Sequence, residues 1–224
     1  MSDLHSINEA INKKAGRKLL PSIAVGLSLI ALVWFTLSYQ REIFAIVVAV
    51  AVILGLRELV RAFAARGIVI SFNTLTLAAI GLSYAAWVGG VAGLAIATAI
   101  AFPLLLIRAL LQGPDGFVAK ATATTFGLLY LPFLAGFLIL LARPSTGFQR
   151  VMTFMVLVGC NDTFGYLVGV LFGKHPLVPK ISPKKSVEGL IGSLIATTIG
   201  AVGSSPFTNS IDLTTLPVLG LTWR

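Results

Sequence analysis

Long apolar runs, separated by short polar or glycine- and proline-containing segments, dominate the pattern of this chain. They cover residues 19–39, 43–63, 70–88, 91–111, 118–142, 150–172 and 190–202. Most of them approach the ~20 residues that a helix needs to cross the hydrocarbon core of a membrane. Gly89-Gly90 predicts a tight turn between the third and fourth runs, and Pro132 predicts an interruption of the fifth. The pattern therefore predicts an all-α, polytopic transmembrane helical bundle of about 6–7 helices.

Composition supports the membrane class and excludes a nucleic-acid-binding protein. The chain is 57% hydrophobic and 11% charged, whereas soluble domains carry about 25% charged residues. The net charge is +9, but the basic residues form short patches between apolar runs, a pattern typical of contact with a lipid bilayer and with phosphorylated substrates. We predict two parts: a basic cytoplasmic segment over 1–18 and a single transmembrane domain over 19–224.

The distribution of Lys and Arg predicts the orientation. With a cytoplasmic N-terminus, 13 of the 17 basic residues fall on the cytoplasmic side, against Arg41, Arg143 and Arg150 on the other, with Arg224 at the chain end. This bias predicts a multi-pass protein of the cell membrane whose loop over 173–189 faces the cytoplasm.

Asp162 is a carboxylate deep inside an apolar run, and an ionisable residue there marks a functional site by default. A purely structural hydrogen bond is the alternative. Tyr166 follows one helical turn later on the same face. Gly165, Gly169 and Gly173 recur every four residues and favour close approach of either another helix or a ligand.

The loop that follows is basic and suited to phosphate. Lys174, Lys180, Lys184 and Lys185 lie near Ser182, and ammonium and hydroxyl groups bind phosphate oxygens. An ordinary cluster of cytoplasmic lysines is the other interpretation, and spacing alone does not separate the two.

The run from Asp162 to Gly189 resembles the phosphatidate cytidylyltransferase (CDP-diacylglycerol synthase) family. That family has D-T-x-A-Y-x-x-G-x-x-x-G-K followed by I-S-P-K-K-T-x-E-G at the same offset. The positions that match are Asp162, Thr163, Tyr166, Gly169, Gly173, Lys174, Ser182, Pro183, Lys184, Lys185, Glu188 and Gly189. Gly165, Ser186 and Val187 replace the frequent Ala, Thr and Trp.

The resemblance implies an enzyme of phospholipid biosynthesis that transfers CMP from CTP to phosphatidate, giving CDP-diacylglycerol and pyrophosphate. It implies Asp162, Lys184 and Lys185 as catalytic residues, with Asp162 also holding Mg²⁺. The substrate-binding residues that it implies are Ser182, Lys174, Tyr166 and Glu188. The expected partners are CTP, phosphatidate and the lipid bilayer, and a homodimer is the assembly under consideration.

One part of the family pattern is not found. The family continues with K-R-x-x-x-x-K-D and H-G-G-x-x-D-R-x-D, whereas the histidines here are His5 and His175. We therefore expect the chain to be incomplete at its C-terminus relative to the family, with little turnover by itself. An inactive remnant or structural subunit that keeps the phosphate-binding loop is one alternative function. An ion-coupled transporter that uses Asp162 is another.

Overall fold

The computed structural model describes residues 19–180 and 182–204. The predicted segment 1–18 and the end of the predicted domain, 205–224, lie outside these residues. Six helices are present in the described ranges: α1 Leu19–Tyr39, α2 Arg41–Ala64, α3 Phe72–Leu110, α4 Phe117–Ala142, α5 Gly147–Phe172 and α6 Val187–Ser204. The all-α prediction and the helix count are thus confirmed. By length and composition, α2, α3, α4 and α5 can each cross a membrane.

Helix α3 is a pair of helices joined at one residue. Gly90 has φ 63° and ψ −146°, a conformation that side chains disfavour, and the helix reverses there. Because of this reversal, Ser71 before the first half lies beside Arg108 near the end of the second. Counting the halves separately gives the seven predicted runs, and the predicted turn at Gly89-Gly90 is confirmed.

The turn at Gly90 is held by Arg143 from the end of α4. Its Nε donates to the Trp87 carbonyl at 2.7 Å and its Nη2 to the Val88 carbonyl at 3.1 Å. Arg41 in turn donates to the Arg143 carbonyl at 2.9 Å. Carbonyls at a helix end lack partners within the helix, so Arg143 satisfies two that the reversal would leave free.

Pro132 interrupts α4 as predicted. Leu129–Phe133 forms a π-helical turn between the α-helical segments Phe117–Leu128 and Leu134–Ala142. Proline has no N–H to donate, and a wider turn accommodates the missing bond without ending the helix.

The core lies between α2, α3 and α4. Side chains one turn apart on α2 meet an equivalent row on the first half of α3. The buried members of these rows are Phe44, Val48, Val52, Leu56, Leu75, Ala79, Leu82 and Ala86. Large apolar side chains also cover much of the outer surface, as expected for helices whose outer faces contact lipid chains rather than water.

The segment between α5 and α6 contains a small antiparallel hairpin that the sequence did not predict. Strand β1, Pro176–Val178, pairs with β2, Ser182–Ser186, with Val178 opposite Ser182 and Pro176 opposite Ser186. The described part of α6 packs chiefly on α5, so α5, the hairpin and α6 form one unit.

Candidate functional site

Glycines bring α5 and α6 into near backbone contact. A Cβ built on Gly189 would lie 2.7 Å from the Gly165 carbonyl oxygen and 3.2 Å from the Gly169 Cα. A Cβ on Gly192 would lie 2.6 Å from Val168. Of the two interpretations of the glycine repeat, close approach of another helix is therefore the one that the structure shows.

Glu188 closes the base of the hairpin. Its carboxylate accepts the backbone N–H groups of Lys174 at 3.1 Å and His175 at 3.3 Å, and lies 2.6 Å from His175 Nδ1. These hydrogen bonds, that from the His175 ring first, lower the pKa of Glu188 from 4.5 to about 2. Glu188 is therefore charged at neutral pH and is occupied with His175 and the Lys174 backbone rather than with Lys185. Substrate binding by Glu188 remains a prediction.

Ser186 joins the hairpin to both helices. Its Oγ accepts the Gly189 N–H at 3.1 Å, which caps the start of α6. The same oxygen would lie 3.3 Å from a Cβ on Gly169. Sequence reasoning missed this role, although a serine directly before an apolar run is a recognised signal for a helix start.

The lysines of the hairpin unit whose side chains the structure describes are exposed and have no carboxylate partner. Lys174, Lys180 and Lys185 are exposed, and within the described part of the chain none of them forms an ion pair. Ser182 begins β2 and is half-buried. Lys184 lies in β2, but its side chain falls outside the described residues. The hairpin therefore presents uncompensated positive charge.

Asp162 lies farther down α5, on a side that the described residues leave open. It is exposed and accepts a hydrogen bond from Asn161 Nδ2 at 3.3 Å. Tyr166 is 75% exposed, and no hydrogen bond between described residues joins it to Asp162. At ~1.5 Å per residue, Asp162 lies ~15 Å along the axis from Phe172, where α5 ends. The structure thus gathers Lys174, Ser182, Lys185 and Glu188 at the hairpin and leaves Asp162 and Tyr166 further along the helix.

The groups around Asp162 can hold a hard cation such as Mg²⁺ only when a substrate supplies further oxygen ligands. Among the described residues, no group of three or more His, Cys, Asp or Glu side chains could hold a metal ion. Mg²⁺ prefers oxygen ligands and is commonly held by one or two carboxylates plus substrate phosphates and water. A single exposed carboxylate beside an amide meets that requirement when phosphate oxygens supply the other ligands.

An apolar groove of about 590 Å³ runs between α5 and α6 on another side of their contact. Cys160, Phe164 and Val168 line it from α5, and Ile191 and Ile195 line it from α6. Glu188 also lines this groove, whereas Asp162 does not.

Comparison with known proteins assigns most of the chain, including α5, the hairpin and α6, to one family. The model of the cytidylyltransferase family matches residues 22–223. A phosphatidate cytidylyltransferase of Mycobacterium leprae is 35% identical over 210 residues, which cover 87% of this chain and 67% of that protein. One from Mycobacterium bovis is 33% identical over 218 residues, covering 88% and 71%.

Another relative matches over a shorter stretch. The phosphatidate cytidylyltransferase of Aquifex aeolicus is 42% identical over 72 residues, which cover 32% of this chain and 27% of that protein. No solved structure matches the chain.

Proposed function

Because this chain belongs to the cytidylyltransferase family, we propose that it transfers CMP from CTP to phosphatidate, giving CDP-diacylglycerol and pyrophosphate. The mycobacterial relatives carry the name of this activity. The observation that carries the proposal is the hairpin unit, whose free ammonium groups lie at one end of a helix that holds a lone carboxylate. The family match does not favour an inactive remnant or a transporter.

The reaction is a direct transfer between the two substrates and requires little covalent chemistry from the protein. A phosphate oxygen of phosphatidate attacks the α-phosphorus of CTP, the bond from that phosphorus to the oxygen bridging to the β-phosphate breaks, and pyrophosphate leaves. Positioning and charge neutralisation dominate such a transfer. Lys174, Lys184 and Lys185 attract the phosphate groups, and Ser182 donates a hydroxyl.

In our proposal Glu188 also supports this cluster by leaving the lysines unpaired. A carboxylate next to lysines would normally neutralise one of them. Here the bonds from His175 and from two backbone N–H groups occupy the carboxylate, so the ammonium groups stay available.

Asp162 would hold Mg²⁺ with the substrate phosphates. When bound, this ion neutralises charge on the phosphate oxygens. The ~15 Å between Asp162 and the end of α5 suits a ligand as long as a nucleoside triphosphate, which would contact both the carboxylate and the hairpin. Tyr166, one turn from Asp162, borders the same path.

The orientation belongs to the same proposal, since CTP is a soluble cytoplasmic nucleotide. We place the hairpin on the cytoplasmic side, as the distribution of basic residues predicts. Lys180 is exposed in the hairpin turn, so Lys180→Cys in a Cys160→Ser background is the suitable probe. Labelling of that cysteine by an impermeant thiol reagent from outside intact cells would contradict the orientation.

The activity is tested by incubating the protein with labelled CTP, vesicles that contain phosphatidate, and Mg²⁺. Asp162→Asn keeps the shape of the side chain but removes its charge, so formation of CDP-diacylglycerol should fall below detection. Asp115→Asn is the matched control, because Asp115 lies in a different turn and should leave the rate unchanged. If the wild-type chain neither binds CTP nor forms labelled product, the proposed activity is wrong. If Asp162→Asn retains the rate, the metal assignment is wrong.

A further inference from the structure

A polar cleft lies at the end of the bundle opposite to Arg143, on elements separate from the α5–α6 unit. It is formed where the start of α3, the end of α3 and the start of α4 meet. Ile70, Ser71, Thr74, Leu105, Arg108, Ala109, Gln112, Lys120 and Thr124 line it. We call it the Thr124 cleft.

The Thr124 cleft carries two positive charges and no negative one. Arg108 and Lys120 both line it, and neither forms an ion pair with any described residue. The closest carboxylate in sequence, Asp115 in the α3–α4 turn, is not a lining residue. Two cations that share one cleft repel each other unless an anion lies between them.

Thr124 gives the cleft a free polar group in its wall. The residue is 7% exposed and lines the cleft, and its hydroxyl makes no hydrogen bond with another described residue. Threonines within helices usually donate to a carbonyl one turn earlier, as Thr98 does to Leu94 at 2.7 Å. The Thr124 oxygen is not fully buried, so the hydroxyl is open to the cleft and can bond to a ligand oxygen there.

The first turn of α3 adds further donors. Ser71 caps it by accepting the Thr74 N–H at 3.4 Å, and the two hydroxyls lie 2.7 Å apart. The N-terminus of a helix favours negative charge because its first N–H groups lack partners and its dipole is positive there. The enclosed space of the cleft is about 10 Å³, about the room that one oxygen atom takes.

We propose that the Thr124 cleft binds a phosphate group, with one oxygen bonded to Thr124 inside the cleft and the others at its mouth against Arg108 and Lys120. The ligand is a free phosphate or the phosphate headgroup of a lipid. The site is additional to the hairpin and does not depend on the proposed transferase activity.

Thermal unfolding in nanodiscs of phosphatidylcholine tests the free-phosphate source. Sodium phosphate, titrated against sodium chloride at constant ionic strength, should raise the melting temperature, because a ligand that binds only the folded chain stabilises it. Arg108→Gln and Lys120→Gln should each raise the half-maximal phosphate concentration about tenfold, since each removes a charge-assisted hydrogen bond. Arg57→Gln removes an exposed cation outside the cleft and should leave that concentration unchanged.

Thr124→Val separates binding from folding. It removes a hydroxyl that has no hydrogen-bond partner among the described residues, at nearly constant shape, so the melting temperature without phosphate should change little. Phosphate binding should nevertheless weaken about tenfold, as expected for loss of a hydrogen bond to a charged group, and Thr124→Ser should bind as the wild type does.

Replacing part of the phosphatidylcholine by phosphatidate tests the lipid source, with retained lipid counted by native mass spectrometry. Loss of retained phosphatidate in Arg108→Gln and Thr124→Val, without an effect of free phosphate, would identify a lipid headgroup as the ligand. Identical behaviour of the wild type and all cleft variants in both arms would overturn the proposal. Equal weakening by Arg57→Gln would overturn it as well.

Discussion

Replacing Gly189 by alanine should force α5 and α6 apart. The new Cβ would lie 2.7 Å from the Gly165 carbonyl oxygen, whereas carbon and oxygen in contact are about 3.3 Å apart or more. The Gly165 oxygen is a backbone atom, and the position of a Cβ is fixed by its own backbone, so no rotamer change relieves this contact. The helices must therefore separate by roughly 0.6 Å. A gap of that size forfeits about a quarter or more of the dispersion energy of each contact.

The expected net cost is about 1–2 kcal/mol. Overpacking costs typically ~1–3 kcal/mol, and alanine recovers up to about 1 kcal/mol of helix propensity relative to glycine. Gly159→Ala is the matched control on α5, because a Cβ there meets nothing within 4 Å. That variant should be stabilised by about 0.5–1 kcal/mol.

Hydrogen exchange of residues 187–204 measures this difference in detergent. Amides that open locally should exchange roughly 5–30 times faster in Gly189→Ala, as about 1–2 kcal/mol implies. Exchange in Gly159→Ala should be equal to or slower than in the wild type. If Gly189→Ala protects α6 as well as the wild type does, the two helices are not in the close contact described here.

Arg143→Ala should lower the free energy of unfolding by about 1–3 kcal/mol, because two helix-end carbonyls lose an ionised donor. Arg150→Ala loses one bond to the Thr146 hydroxyl, so it should lower the free energy of unfolding by less when both variants are compared by thermal unfolding. Because the pKa of Glu188 is lowered to about 2, its contribution is complete above pH 4.5 and is lost as the pH falls toward 2. Protection of residues 174–188 against hydrogen exchange, corrected for the pH dependence of the intrinsic rate, should fall in that window for the wild type but not for Glu188→Gln. Lys185→Ala should raise KM with little change in kcat, since its attraction for phosphate acts in the ground and transition states alike. A sharp fall in kcat at constant KM would contradict the docking role.

The helices were predictable because their signals are local. The apolar run 19–39 ends where α1 ends, Gly89-Gly90 marks the reversal of α3, and Pro132 falls in the π-helical turn of α4. Length, periodicity and helix breakers determine each of these features within one turn or two of the residue concerned.

The hairpin and the contacts of Arg143 were not predictable in the same way. Strand β2 contains proline and two lysines, residues that sheets disfavour. The hairpin is held by Glu188, which bonds to Lys174 and His175 ahead of β1, and by Ser186 at the end of β2, which accepts the Gly189 N–H. Arg143 binds carbonyls 56 and 55 residues away in the chain. Such partners become visible only when the helices are placed side by side.

The Thr124 cleft escaped prediction for a similar reason. Ser71, Arg108 and Thr124 belong to three separate segments, and each by itself is an ordinary residue near a helix end. The motif that carries the family resemblance, in contrast, is continuous from Asp162 to Gly189, so candidate site residues could be proposed from the sequence, although the bonds of Glu188 to Lys174 and His175 could not.

The bond between Arg143 and the turn at Gly90 bears on the order in which the chain is built into a bilayer. Trp87 leaves the ribosome before Arg143, which follows 56 residues later. Until α4 has been synthesised and inserted, the carbonyls of Trp87 and Val88 have only water or lipid headgroups as partners, since hydrocarbon offers none. The two halves of the newly inserted α3 therefore have to keep their connecting turn at the membrane surface while the next 50 or so residues are translated. Once α4 is inserted, Arg143 binds these carbonyls and fixes the depth of the turn in the membrane.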